Sequence, residues 1–124
     1  MKKDVFAHQA DFIDVQRIAE QYCLGLYTAN TELLRSLFDD NAHLQAPGVR
    51  RSLSQWLDLV ASRDIPEQSN SADDFVIRQL AIFGQQAIVQ LECPLFERRY
   101  LDHLTLLKEQ GQWLIVNKTY ADLT

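Results

Sequence analysis

Asp102 and Lys118, in the last third of the chain, have the residue types and spacing from which chemistry is first expected. The runs Tyr100–Lys108 and Trp113–Tyr120 are strand-like, and Glu109-Gln110-Gly111-Gln112 between them reads as a hairpin turn. Closing the hairpin around Gln110-Gly111 sets Asp102 almost opposite Lys118 or Thr119, at the ~4.5–5.5 Å where cross-strand side chains meet. Lys118 is the natural partner. A neighbouring ammonium favours the charged carboxylate, so Asp102 is expected to accept hydrogen bonds. An inward-facing pair of this kind suits the gripping of a polar ring or a carbonyl. The same pair equally suits a plain structural role, fixing the register of the hairpin.

Other reactive side chains are scattered. His103 and Thr105 alternate with Asp102 and Leu104, so they are expected on the opposite sheet face, where a lone imidazole makes a poor metal site. Glu92 could line either a pocket or an outer interface. His8 falls in a segment, residues 1–10, expected to be loosely ordered, and should be solvated. Cys23 and Cys93 each lie in an apolar run without metal-ligand spacing, and read as buried free thiols. Trp56 and Trp113 read as core or interface anchors. A phosphate-cradling glycine loop, a G-x-S-x-G elbow, an H-E-x-x-H pair and a C-x-x-C pair are all missing from the sequence, so no cofactor and no metal are expected.

The elements that must position these groups follow from periodicity. Phe12, Val15, Ile18, Ala19, Tyr22, Cys23 and Leu26 form the stripe of an amphipathic helix running from an Asp11 cap to about Tyr27. Leu33, Leu34, Leu37 and Phe38 share one face of a second helix, which Asp39-Asp40-Asn41 stops by local side-chain-to-backbone bonding. Ala42–Ala46 reads as a short strand, Pro47-Gly48 as a turn, and Ser54 as the cap of a third helix facing inward with Trp56, Leu57, Leu59, Val60 and Ala61. Residues 63–72 carry no period and are expected to form a surface or pocket-mouth connection. Four strands follow, Phe75–Phe83, Ala87–Phe96, Tyr100–Lys108 and Trp113–Tyr120, which read as an antiparallel meander. Helices followed by a meander define an α+β domain with the helices gathered on one sheet face.

With 124 residues, 47% of them apolar and 10% aromatic, the chain suits one domain spanning residues 1–124. A net charge of −5, with no Lys/Arg run longer than two, argues against nucleic-acid partners. Apolar stretches of four or five residues are too short to cross a membrane, and MKKDVFAHQADF carries charge where a leader's apolar segment would lie. A cytoplasmic protein is expected.

The stretch QYCLGLYTANTELLRSLFDDNAHLQAPG resembles the opening of the nuclear-transport-factor-2-like fold, which includes ketosteroid isomerase, scytalone dehydratase and SnoaL-type cyclases. The closing YLDHLTLLKEQGQWLIVNKTY resembles the final hairpin of its putative lumazine-binding family, with D-x-L-x-L-x-K, G-x-W-x-I-V and N-K-x-Y elements. The resemblance implies a cone-shaped, cystatin-like fold: three helices packed on a curved, mainly antiparallel sheet, a pocket between them, and frequent homodimers. The last strand, WLIVNKTY, is apolar on both alternations at its start, so the outer sheet face is expected to meet the second subunit. Against the isomerase pattern, Tyr22 falls at the helix-one tyrosine and Asp102 at the acid that is kept protonated to donate a hydrogen bond. The carboxylate base position, immediately before Pro47, is Ala46. His43 is the nearest substitute, but three residues along a strand aims it at the opposite face from Ala46.

The resulting expectation is a small-molecule-binding protein whose pocket carries Tyr22, Asp102, Lys118 and Tyr120, walled by Phe38, Leu104, Val116 and Trp56. One alternative is an isomerase, dehydratase or cyclase acting near a carbonyl, with Asp102 as acid or base, Tyr22 stabilising an oxyanion and Lys118 replacing the lost carboxylate. Another is a protein-interaction module. Tyr22 also fits a plain buried tyrosine on the apolar stripe.

Overall fold

The first helix begins before its apolar stripe does. In the structure, a computed structural model describing residues 5–124, with side chains from Gln9 onward, α1 spans Val5–Thr28. Residues 1–4 and the side chain of His8 lie outside the described residues, while residues 5–10 belong to the helix. Asp11 is therefore not a cap. Its Oδ1 accepts from Lys108 Nζ at 2.8 Å and from Trp113 Nε1 at 3.1 Å, which ties the helix to the last hairpin. The buried stripe is Val15, Ala19, Tyr22 and Leu26, narrower than expected because Phe12 remains 43% exposed.

Asn30 caps α2 (Thr31–Leu37), its side chain accepting from Leu33 N at 3.0 Å. Gly25 lets α2 close on α1, because a Cβ there would lie 2.6 Å from Leu34 Cδ2 in the core. The chain then enters β1 (Phe38–Ala46), a longer strand than Ala42–Ala46 alone. Its first half is irregular. Phe38 pairs with Ile115 and His43 with Asn117, so Asp39–Ala42 bulge out of the ladder, and Asn41 N bonds to Asp39 Oδ2 at 2.9 Å. The Asp-Asp-Asn run thus bonds locally as expected, but inside a strand: α2 has already ended at Leu37, and Phe38, expected on the helix face, opens β1.

Pro47 and Gly48 form a two-residue turn into β2 (Val49–Ser52), a strand that periodicity did not reveal. Proline's fixed φ and a glycine at φ 77° meet the demands of a type II turn. Ser52, not Ser54, caps α3 (Leu53–Ser62), through a reciprocal capping box with Gln55. A single 3₁₀ turn, Pro66–Gln68, interrupts the connection that follows.

The meander is as expected: β3 (Val76–Phe83), β4 (Gln86–Leu95), β5 (Arg98–Glu109) and β6 (Gln112–Asp122), all antiparallel. The β4–β5 turn is Phe96-Glu97, one step earlier than the Glu97-Arg98-Arg99 separator suggests. The sheet order is β2-β1-β6-β5-β4-β3, with β1 and β6 parallel. Register shifts in β1–β6, β3–β4 and β5–β6 bend it. Its concave face meets the helices and carries Ala87, Val89, Leu91, Leu104, Leu106 and Ile115, all at most 1% exposed. Among the described residues, no helix covers the other face, and none is long and apolar enough to cross a membrane.

Candidate functional site

The site depends on one extra residue. Below it, the last hairpin pairs Leu106 with Ile115; above it, Thr105 pairs with Asn117, which leaves Val116 as a bulge in β6. Trp113 and Ile115 point into the core before the bulge, and Lys118 is the buried position after it. An unbulged strand would have kept the alternation and sent Lys118 outward. The shift instead sets Asp102 opposite Tyr120 and Leu104 opposite Lys118. Sequence reasoning placed Asp102 beside Lys118 or Thr119; the structure makes the Lys118 contact diagonal.

The two charges lie deep, Asp102 at 3% and Lys118 at 6% exposure. Lys118 Nζ stands 3.5 Å from Asp102 Oδ2, and the Tyr22 hydroxyl donates to that oxygen at 2.7 Å. The carboxylate therefore accepts here, as the hairpin reading expected. Burial first, and then the Asp102 charge, push the Tyr22 pKa well above its usual value, so the phenol stays protonated. The Lys118 ammonium also lies 4.5 Å from the Trp56 ring centre, 5.4 Å from Tyr120 and 5.5 Å from Tyr22. Its stem is flanked in the sheet by Leu44 and Leu104.

Above these groups opens a half-enclosed hollow of about 250 Å³. Of the residues expected to form a pocket, Trp56, Asp102, Lys118 and Tyr120 line it. Tyr22, Phe38 and Leu104 are buried behind that wall, with the Phe38 ring 5.5 Å from Trp56 and 6.1 Å from Tyr22. Val116 must be corrected: as the bulge residue it lies half-buried, away from the hollow, because the alternation that would have turned it inward is broken at that point.

Two arginines on the wall were missed. Arg51 on β2 sits in the row Arg51–Leu44–Lys118–Leu104 across the sheet, and its Nη1 donates to the Tyr120 hydroxyl at 3.3 Å. It was illegible because β2 was. Arg63 follows the last residue of α3, and its Nε is buried without a hydrogen-bond partner. The spacing Trp56, Leu59, Arg63 is i, i+3, i+7, a same-face pattern from which it could have been found. Desolvation lowers the Arg63 pKa, opposed by Tyr22, Tyr100 and Asp102.

The remaining candidates point elsewhere. His43 is exposed, on the opposite alternation from buried Ala42 and Leu44. Glu92 lies on the outer face between Arg99 Nε and Arg78 Nη2, both at 2.9 Å, and His103 bonds there to Gln90. Trp113 is a core residue at 4% exposure. Burial pushes the Cys23 thiol up to about 12 and the Cys93 thiol higher still, so neither is a poised nucleophile. Among the described residues no cluster of three or more His, Cys, Asp and Glu could hold a metal ion.

A cone of three helices on a bent six-stranded sheet, hollow at one end, is the nuclear-transport-factor-2-like class of fold, and solved structures of that class superpose on it. A protein from Shewanella baltica, described as NTF2-like and of unknown function, matches with TM-score 0.81 at 18% identity, covering 99% of each chain. One from Methylobacillus flagellatus, with the same description, matches with TM-score 0.80 at 19% identity, covering 99% of this chain and 97% of the other. A "putative ketosteroid isomerase" from Shewanella frigidimarina matches with TM-score 0.66 at 16% identity, over 85% and 92% of the two chains. No curated protein matches the sequence. Within this class the chain belongs to the family described as "Putative lumazine-binding", whose pattern matches residues 10–121.

Proposed function

We propose that the protein binds a small organic molecule in the hollow between α3 and the concave sheet face. The observation that carries this reading is a half-open cavity with a buried ion pair at its base, whose carboxylate accepts a hydrogen bond from Tyr22. Apolar walls with a few convergent polar groups are the usual constitution of a ligand pocket. Size supports it, since a dry cavity of ~150 Å³ already admits benzene and about 250 Å³ leaves room for a substituted ring. The family description also points to a ring-shaped small molecule.

A catalytic reading as isomerase, dehydratase or cyclase has less behind it. Ala46 stands where a carboxylate base would be needed, His43 faces away, and the Tyr22 hydroxyl already engages Asp102. A protein-interaction module would not need a hollow of this polarity. We further place a second copy of the chain on the outer sheet face, where Leu101, Leu107, Leu114 and Val116 are half-buried without a covering element. Cytoplasmic residence fits the two free cysteines.

Native mass spectrometry of protein purified from its own host tests these points together. The expected spectrum is a dimer carrying a small-molecule adduct that denaturation releases. An adduct-free protein would overturn the pocket reading, and a monomer at micromolar concentration the interface.

A further inference from the structure

The hollow has the opposite sign of charge from the chain. Arg51, Arg63 and Lys118 line it against one carboxylate, Asp102, although the protein carries a net charge of −5. That carboxylate is already engaged by Tyr22 and Lys118. Neither Arg51 nor Arg63 has a carboxylate partner among the described residues; Arg51 donates to Tyr120, and the buried Nε of Arg63 donates to nothing. The two guanidinium groups thus bring positive charge to the wall that no carboxylate of the described residues balances, and charge of that kind in a partly desolvated site favours an anionic ligand. The planar guanidinium fork matches a carboxylate in two parallel bonds. Around it the wall is apolar, with Leu26, Leu59, Pro94, Leu95 and the Trp56 ring.

We infer that the hollow takes a small organic anion, a carboxylate on an aromatic or branched apolar body, with the carboxylate held by Arg63 and the body lying against Trp56 and the leucines. This rests on the small-molecule reading above and adds the charge and orientation of the ligand. At the base of the hollow, the Lys118 ammonium then faces the same anion, while the Asp102 carboxylate stays engaged by Tyr22. A neutral ring of equal shape would leave the positive charge of the wall without a counter-ion.

The test compares shape-matched probes. Isotope-labelled protein is titrated with benzoate and 2-naphthoate, each against its neutral amide, by amide chemical-shift mapping. A charge-assisted pair in a half-buried site corresponds to a preference of about tenfold or more for the acid. In Arg63→Gln that preference is expected to fall to within about twofold, because the charged fork is gone. Arg17→Gln, on the exposed face of α1, should retain it. If acid and amide bind equally to the wild type, the anion inference is overturned while the pocket stands. Should the preference survive Arg63→Gln, the assignment to Arg63 fails. If no probe shifts the amides of the hollow at millimolar concentration, the small-molecule reading falls as well. The wild-type comparison decides the charge question even if Arg63→Gln does not fold.

Discussion

The two faces of the sheet hold charge clusters that differ in solvent more than in chemistry. On the concave face, Asp102 and Lys118 pair with side chains 4% and 8% exposed, and three aromatic rings, Tyr22, Trp56 and Tyr120, complete their surroundings, the first also donating its hydroxyl to Asp102. On the outer face, one strand away, Glu92 bridges Arg78 and Arg99, and Arg99 continues to Asp74, whose side chain is 64% exposed. The outer pairs are the shorter ones, at 2.9–3.0 Å against 3.5 Å for Lys118 and Asp102. The outer one is a surface network whose members water can serve if it breaks. In the inner one each charge depends on the other, because taking either out of water is repaid only while its partner remains. Burial, and not bonding distance, therefore separates their consequences: the inner pair, although longer, has more to lose when a partner is removed.

The comparison is broken most directly at Lys118. Lys118→Ala strands the Asp102 carboxylate and should cost ~3–5 kcal/mol in denaturant unfolding, whereas the double replacement Asp102→Leu with Lys118→Met should recover most of that loss. Failure of the double variant to recover would mean that the aromatic contacts of Lys118 outweigh the pairing.

Tyr22→Phe removes one charge-assisted bond without opening a cavity. A loss of about 1.5–3 kcal/mol in the same measurement is expected, and a negligible change would place water, not the phenol, as the true partner of Asp102.

The smallest effect belongs to the outer face. Glu92→Gln should scarcely move the unfolding midpoint at pH 7. Arg99 first, and then Arg78, hold the Glu92 carboxyl below the usual glutamate range. Its folded pKa is thus lower than its unfolded value of about 4.3, so its contribution is complete above that pH and fades as pH falls further. The small difference between wild type and Glu92→Gln should accordingly fade as pH falls through the folded pKa, and a difference that grew on acidification would reverse the sign and exclude the pairing.

Much of the architecture could be read from local patterns because local patterns produce it. The alternation of β4 and β5 and the Gln110-Gly111 turn depend on residues close in sequence and stand as expected, and the apolar stripe of α1 does so in all but its width. The errors have a common cause. Asp11 looks like a cap because nothing nearby reveals Lys108 and Trp113, which arrive from the other end of the chain. Four-residue β2 has too short a pattern to be seen, and with it went Arg51. Arg63 falls in an aperiodic stretch although it stands at helical spacing from Trp56, because as the residue that ends α3 it belongs to neither pattern fully.

By itself, then, the sequence determined the α+β class, the meander, the identity of the acid–base pair and its approximate meeting across the last hairpin, since these follow from periodicity and turn chemistry. The tertiary structure decided which way the pair faces. One unpaired residue, Val116, reverses the alternation of β6 and turns Lys118 from the outer surface into the hollow. A bulge is an agreement between two strands over their whole length, and no short stretch of either strand records it.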